Sequence, residues 1–281
     1  MEYFNFVDSI EINPTELCNL KCSFCPRAHG YPNQNLHMSL ETAREIRKQL
    51  DSSKFKGEVY FAGRGEPTLT KNFDIILDIF IENNPGYELR ITTNGKRIDL
   101  LERFFNKEKI SFTYDVYSTD IKEYEKIKFK YKKYKNIKVR HKPDTGLLYN
   151  EFFTKKKVKF RSSVNLDGFT NRGGFLGKKE EDIFLHTDYG CAKLVYNLLI
   201  NWNGDYNLCC DDWNPIVLGN IFDESIEDYT NHNETLNHYR KTHFCKNTRE
   251  GLQACESCSR RAPVQEPDKK DYLNLIKLNE A

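Results

Sequence analysis

The 281-residue chain has no apolar run long enough to cross a bilayer. Its longest, Ile75 to Ile81, is interrupted by Asp78 and falls far short of the about 20 residues that a spanning helix needs. Met1 to Glu11 hold no basic stretch followed by an apolar one, which argues against a secretory signal and leads us to expect a cytoplasmic protein with no membrane partner. Nor is there an excess of one charge. Lys and Arg number 43 against 41 Asp and Glu, a net +2, which excludes a globally basic nucleic-acid binder on charge alone. Apolar residues are scarce at 38%, but 19 Phe and 16 Tyr supply enough buriable surface for a globular fold with an aromatic-rich core. The last absence is the most informative. No cysteine lies between Cys25 and Cys191, so the nine cysteines split into Cys18, Cys22 and Cys25 near the start and Cys191, Cys209, Cys210, Cys245, Cys255 and Cys258 in the last third. An odd number in a chain without a secretion signal points to metal or redox chemistry over a disulfide framework.

The length allows one large domain with a small appendage, or two modest domains. Charge is unevenly spread along it. Lys122 to Arg161 carry 15 Lys and Arg and 4 Asp and Glu, net +11, which leaves 28 basic and 37 acidic residues elsewhere, net −9. We read this segment as a solvated Lys-rich face in preference to a patch for a phosphorylated or nucleotide-bearing partner.

Residues 7–13 read as a strand, and Ser39 caps a helix through Leu50. Strands follow at 57–62, 87–93, 110–117 and 136–141, with helices at 73–81, 98–105 and 121–131 between them and a last strand at about 158–164. Strands alternating with helices imply a parallel sheet with crossover helices, open or closed into a barrel. Catalytic groups of such α/β folds sit at the carboxyl ends of the strands. The first cysteine loop, Gly63-Arg64-Gly65-Glu66-Pro67 and Thr92-Thr93-Asn94-Gly95 all fall on that rim. After about Gly177 the alternation gives way to loop-like sequence, with a boundary at 178–187. Val264 to Ala281 read as a polar, helix-capable tail.

Three thiolates in the spacing C-x3-C-x2-C are one short of the four that complete a 4Fe-4S centre and would leave one iron open. A zinc site would need His29 or His37 as its fourth ligand. In this order of motifs the sequence resembles the radical S-adenosylmethionine (SAM) superfamily, whose cysteines follow the first strand of a partial (βα)6 TIM-like barrel. The resemblance implies that Cys18, Cys22 and Cys25 hold a cluster whose open iron chelates SAM, and that SAM is cleaved to a 5'-deoxyadenosyl radical. It also implies that Gly65, Glu66 and Pro67 match a segment holding the methionine amino group, with Arg64 in place of the usual first Gly, and that Thr93, Asn94 and Gly95 complete the SAM site.

The second group resembles the shortened SPASM domain called twitch, in which Cys191, Cys209, Cys255 and Cys258 would ligate an auxiliary 4Fe-4S cluster. Spacing alone leaves a four-cysteine zinc ribbon open. The expected organisation is a barrel over 1–180, a twitch domain over 181–262 and a tail over 263–281. Asn171-Arg172-Gly173-Gly174 lies at the joint, and small twitch-type enzymes acting on carbohydrates carry such a segment, which makes Arg172 a substrate-binding candidate. Cys210 and Cys245 remain as thiols that could donate a hydrogen atom.

The expected activity is oxidation of a carbinol on a small polyhydroxylated, sugar-like or nucleotide-linked substrate, with the auxiliary cluster accepting an electron and flavodoxin or ferredoxin supplying one. Alternatives are an epimerase, dehydratase or decarboxylase on a related substrate, or a ribosomal-peptide maturase. The short segment before Cys18 disfavours the maturase. A zinc-bearing RNA-binding module would instead be colourless and bind RNA in a salt-dependent way. Anaerobic iron analysis with EPR separates these readings. About eight irons in the wild type and about four in either Cys18/Cys22/Cys25→Ala or Cys255/Cys258→Ala are expected, with the SAM-sensitive EPR signal lost only from the first variant. Absence of iron would overturn the radical SAM reading.

Overall fold

In β1 (Ser9–Asn13) every residue after Ser9 is buried, and β2 (Glu58–Phe61) and β4 (Ile110–Val116) are nearly as enclosed. Strands covered on both faces belong in a parallel sheet wrapped by helices. In the computed structural model, which describes residues 2–83, 85–142, 172, 173, 175, 191–246, 248–258, 264 and 268–278, such a sheet forms. β1 pairs with β2, β2 with β3 (Glu88–Thr93), β3 with β4 and β4 with β5 (Ile137–His141), all in parallel. The expected strand at 158–164 and the boundary at 178–187 lie outside the described residues.

The crossovers follow the sequence pattern closely. Ser39 Oγ accepts the Thr42 N–H at 3.0 Å to open α1 (Leu40–Ser52), which buries Ala43, Ile46 and Leu50. α2 (Phe73–Ile81) turns Phe73, Ile76, Leu77 and Phe80 inward. Between β3 and β4 an α-helix was expected, but Ile98–Phe104 is 3-10 helical. Its buried residues Ile98, Leu101 and Phe104 repeat every third position, which keeps all of them on one edge of a three-residue turn. α3 (Ile121–Tyr131) buries only Tyr131. Its lysines make surface ion pairs such as Lys130 with Asp99 at 3.0 Å, as a solvated face would.

Beyond the first cysteine-free stretch the sheet continues, where loop was expected. One helical turn, α4 (Lys193–Tyr196), leads into β6 (Asn197–Asn201), which pairs in parallel with β1 on the side away from β2. Asn203-Gly204 then reverses the chain into antiparallel β7 (Asp205–Asn207), and β8 (Val217–Asn220) follows. Among the described residues the order is β5-β4-β3-β2-β1-β6-β7-β8. An Asn-Gly pair between short runs is a hairpin signal, but LLI in β6 is too brief to stand out by periodicity. Ser225 and Asn233 cap α5 (Ile226–His232) and α6 (Glu234–Phe244) through the N–H groups of Asp228 and Leu236.

The stretch expected as a tail forms α7 (Asp268–Leu278). Tyr272, Leu275 and Ile276 make a stripe at i, i+3 and i+4 that is buried. The Tyr272 ring packs 5.3 Å from Tyr3, 5.1 Å from Phe6 and 5.2 Å from Phe244, fastening the chain's two ends to α6. Among the described residues no helix is long and apolar enough to cross a membrane. Deleting a fully buried aromatic side chain costs about 3–5 kcal/mol. Tyr272→Ala is expected to lose that much in chemical denaturation, and a loss below about 1 kcal/mol would show that α7 does not dock there.

Candidate functional site

The first cysteine group sits in the loop that leaves β1, and that loop is held by a buried ionic network. Arg27 and Glu16, 2% and 5% exposed at their side chains, pair at 3.1 Å, and Arg64 approaches the same carboxylate at 3.4 Å. Arg27 also donates to the Arg64 carbonyl at 2.8 Å and to Asn33 Oδ1 at 3.2 Å. Asn33 in turn brackets Cys18, accepting its N–H at 2.9 Å and donating to its carbonyl at 3.0 Å. Cys25 N–H closes a turn on the Cys22 carbonyl at 2.9 Å, followed by a 3-10 turn over Pro26–His29. The two histidines considered as a fourth ligand are engaged elsewhere. His37 bonds Thr15 through Nδ1 and Asn35 through Nε2, and His29 Nε2 bonds the Ser23 carbonyl.

Gly63 to Pro67 follow β2, and their packing demands glycine at position 65. A Cβ on Gly65 would lie 2.0 Å from the Thr15 carbonyl oxygen, so the turns leaving β1 and β2 touch through backbone. The Glu66 carboxylate is buried and fully used. It accepts from Thr68 Oγ1 at 2.7 Å, from Thr93 Oγ1 and from the Asn94 N–H at 2.8 Å. Burial raises the Glu66 pKa, against the opposing pull of those hydrogen bonds. Glu66 thus ties the segment after β2 to the segment after β3. Gly95 has φ +72°, and a Cβ there would enter the Tyr114 ring.

These segments enclose a cavity of about 300 Å³ in whose wall Cys18, Cys22 and Cys25 all stand. The same wall holds Arg172, Cys210 and a charged pair that sequence reasoning missed. Asp115 on β4 is opposite Arg140 on β5 in register, and the two form a forked ion pair at 2.6 and 2.9 Å. Lys142 reaches the same carboxylate at 3.8 Å. Burial lowers the Lys142 pKa, opposed by Asp115 and reinforced by Arg140 and Arg172. A lone acidic residue in the apolar run FTYDVY was the available signal.

Arg172 adopts a left-handed backbone, φ +53°, and its guanidinium lies 3.5 Å from the buried Asp211. It therefore meets the loop that bears Cys209 and Cys210. Asn171 and Gly174 lie outside the described residues. Cys210 faces the cavity, whereas Cys245 is exposed at the end of α6 and is not in the cavity wall.

The second cavity gathers Cys191, Cys209, Cys255 and Cys258, with His243 and Arg249 beside them. Burial pushes the Cys209 and Cys255 thiols well up, and neighbouring cysteines push them further. Burial first, and the Arg249 charge second, push His243 down to about 3. Enclosed thiols that oppose one another's ionisation become thiolates only against cationic metal. Among the described residues no three His, Cys, Asp or Glu side chains converge as on one metal ion. Each cysteine set instead lines one cavity, and several thiols about one space are the donor chemistry of an iron–sulfur cluster. Removing one partner of a buried ion pair costs about 3–5 kcal/mol. Glu16→Ala, which strands two guanidinium groups, is expected to lose that stability in anaerobic denaturation and to bind less iron at the first site; unchanged stability would show the network to be dispensable.

Residues 12–145 match the radical SAM superfamily, and residues 191–259 match the SPASM iron–sulfur cluster-binding domain. Over 272 residues the chain is 24% identical to the S-adenosyl-L-methionine-dependent 2-deoxy-scyllo-inosamine dehydrogenase of Niallia circulans, covering 94% of this chain and 97% of that one. A GTP 3',8-cyclase of Pasteurella multocida is 33% identical over 91 residues, 32% of this chain and 26% of the cyclase. Among solved structures, BtrN in complex with AdoMet and 2-DOIA superposes with a TM-score of 0.69 at 22% identity, over 92% of this chain and 96% of that one. The structure of anSMEcpe with bound AdoMet gives 0.55 at 16% identity, over 97% and 99%. The α/β fold is shared with these structures, and the radical SAM and SPASM matches bring 4Fe-4S clusters and SAM as the cofactors. Residues 12–145 thus form a radical SAM region, and residues 191–259 form a SPASM iron–sulfur cluster-binding domain whose first strand joins the same sheet.

Proposed function

We propose that this enzyme oxidises a carbinol of a small polyhydroxylated substrate, as its dehydrogenase relative does with 2-deoxy-scyllo-inosamine. The observation that carries the reading is the single cavity in which Cys18, Cys22 and Cys25 face Arg172 and Cys210, with Cys209 of the second cysteine set next in sequence. When bound, SAM and the two clusters supply a hydrogen-abstracting 5'-deoxyadenosyl radical and a one-electron acceptor. In this reading Cys18, Cys22 and Cys25 hold the SAM-binding cluster, Gly65 to Pro67 and Thr93 to Gly95 shape the SAM site, and Cys191, Cys209, Cys255 and Cys258 hold the auxiliary cluster. A flavodoxin or ferredoxin supplies the first electron.

The chain's own task is placement and exclusion of water. Arg172, steadied by Asp211, orients substrate oxygens, and the Asp115 and Arg140 pair offers an acceptor and donors to hydroxyl or amino groups. Lys142 adds a second cation on the same carboxylate, a wall with polar partners for a substrate rich in hydroxyls. Trp213, in edge contact with Tyr31 at 4.8 Å, adds apolar surface to the same cavity.

A second reading, redox-neutral epimerisation, is favoured by Cys210 alone, because a thiol facing the cavity can return a hydrogen atom. Turnover with SAM, reductant and substrate candidates deuterated at the carbinol carbon separates the two. Oxidation predicts deuterium in 5'-deoxyadenosine, one ketone per SAM consumed, and a loss in kcat/KM of about 100-fold in Arg172→Ala from misplaced substrate. Solvent deuterium in an epimerised product, abolished by Cys210→Ala, would replace oxidation with epimerisation.

A further inference from the structure

His243 lies on α6 at 1% exposure and lines the same cavity as Cys191, Cys209, Cys255 and Cys258. Neither of its ring nitrogens has a hydrogen-bond partner among the described residues. An enclosed imidazole without partners is rare, because it gives up hydrogen bonds to water without replacing them. Its neighbours on the helix point their polar groups elsewhere. Tyr239 donates to the Gln253 carbonyl at 3.2 Å, and Arg240 donates to the carbonyls of Thr230 and Leu194. Besides the four cysteines the cavity is lined by Asp211 and Asp212, whose carboxylates are engaged by Arg172 and by the Asn214 and Ile216 N–H groups.

An imidazole carries at least one N–H in either protonation state. A 4Fe-4S cluster on four thiolates brings sulfur acceptors into the cavity that His243 lines. We propose that His243 donates an N–H hydrogen bond to a sulfur of the auxiliary cluster or of its cysteine ligands and thereby raises that cluster's reduction potential. This rests on the assignment of Cys191, Cys209, Cys255 and Cys258 to the auxiliary cluster. A donor at sulfur withdraws electron density and favours the reduced, more negative state. The step it tunes is a one-electron transfer: the substrate radical left by hydrogen abstraction gives one electron to the oxidised cluster and its hydroxyl proton to solvent, leaving the ketone, and no bond to His243 forms or breaks.

The buried Arg249 guanidinium, which donates to the Cys258 carbonyl at 3.4 Å, adds a fixed positive charge that acts in the same direction. His243 is thus a positioning and tuning residue rather than a ligand.

EPR-monitored redox titration of the reconstituted holoenzyme tests the proposal. His243→Leu is expected to retain about eight irons and to lower the auxiliary potential by at least a tenfold change in the reduced-to-oxidised ratio, about 59 mV for a one-electron couple. The SAM-binding cluster should titrate as before, and His243→Gln, which keeps an N–H donor, should recover much of the shift. Should the leucine variant not fold, wild-type enzyme labelled with 15N-histidine should show a histidine nitrogen coupling to the reduced auxiliary cluster in pulsed EPR. An unshifted potential at full iron content, or no such coupling, overturns the proposal while leaving the four-cysteine assignment intact. Four irons in the wild type would overturn that assignment and the proposal with it.

Discussion

Glu16 is buried against two guanidinium groups, and the geometry of the whole rim depends on that arrangement. Its carboxylate meets Arg27 and Arg64 and accepts from Asn13 at 3.0 Å, joining the end of β1, the cysteine loop and the turn after β2. Taking three charges out of water is costly, and apolar replacements of like volume are often as stable. The ionic set instead fixes direction. Arg27 and Asn33 set the backbone at Cys18, and the Arg64 guanidinium donates to the Asp212 carbonyl at 3.1 Å. Arg64 thereby spans from the first motif loops to the loop of the second cysteine group. The residue that departs from the family's glycine is thus the one that couples the two cysteine-bearing regions. No glycine could make that contact.

Glu66 has a complementary role, a layer further out. With its oxygens engaged by Thr68, Thr93 and Asn94, it braces the segments after β2 and β3 against each other. The resemblance implied a direct role for this segment at the methionine amino group. In the structure the Glu66 side chain braces these two segments as a strut and also lines the cavity that holds Cys18, Cys22 and Cys25. Gly65 and Gly95 permit the close approaches on either side of that strut.

Much of this was legible in the sequence, and the features that were not share a physical reason. Helices with a complete apolar face, such as α2, and strands flanked by turn residues were readable because local pattern and tertiary burial agree. The 3-10 helix over 98–104 was misread because its period of three lies close to the helical period over so short a span. β6 and its hairpin were missed because five residues carry little periodicity, and their stability comes from pairing with β1, which is distant in sequence. The cysteine spacings marked both cavities, but the Asp115 and Arg140 pair exists only through the register of two neighbouring strands. Tyr272 shows the same limit. Its stripe was present in an otherwise polar stretch, yet its value depends on Tyr3, Phe6 and Phe244.

Cys209 and Cys210 condense the functional argument into adjacent residues. Cys209 belongs to the enclosed cavity with Cys191, Cys255 and Cys258, whereas Cys210 belongs to the open one with Cys18, Cys22 and Cys25. The chain turns here, the Asp212 N–H closing on the Cys209 carbonyl at 3.2 Å, so one short loop serves both cavities. Arg172 is anchored to Asp211 in that same loop. Under the proposed function, residues 209–211 would link substrate position, a hydrogen-donating thiol and a ligand of the electron acceptor in one loop. On that proposal, whether a substrate radical loses an electron or regains a hydrogen atom would turn on differences in potential and distance at one loop. A tuned auxiliary potential would favour electron loss, and a well-placed Cys210 would favour return.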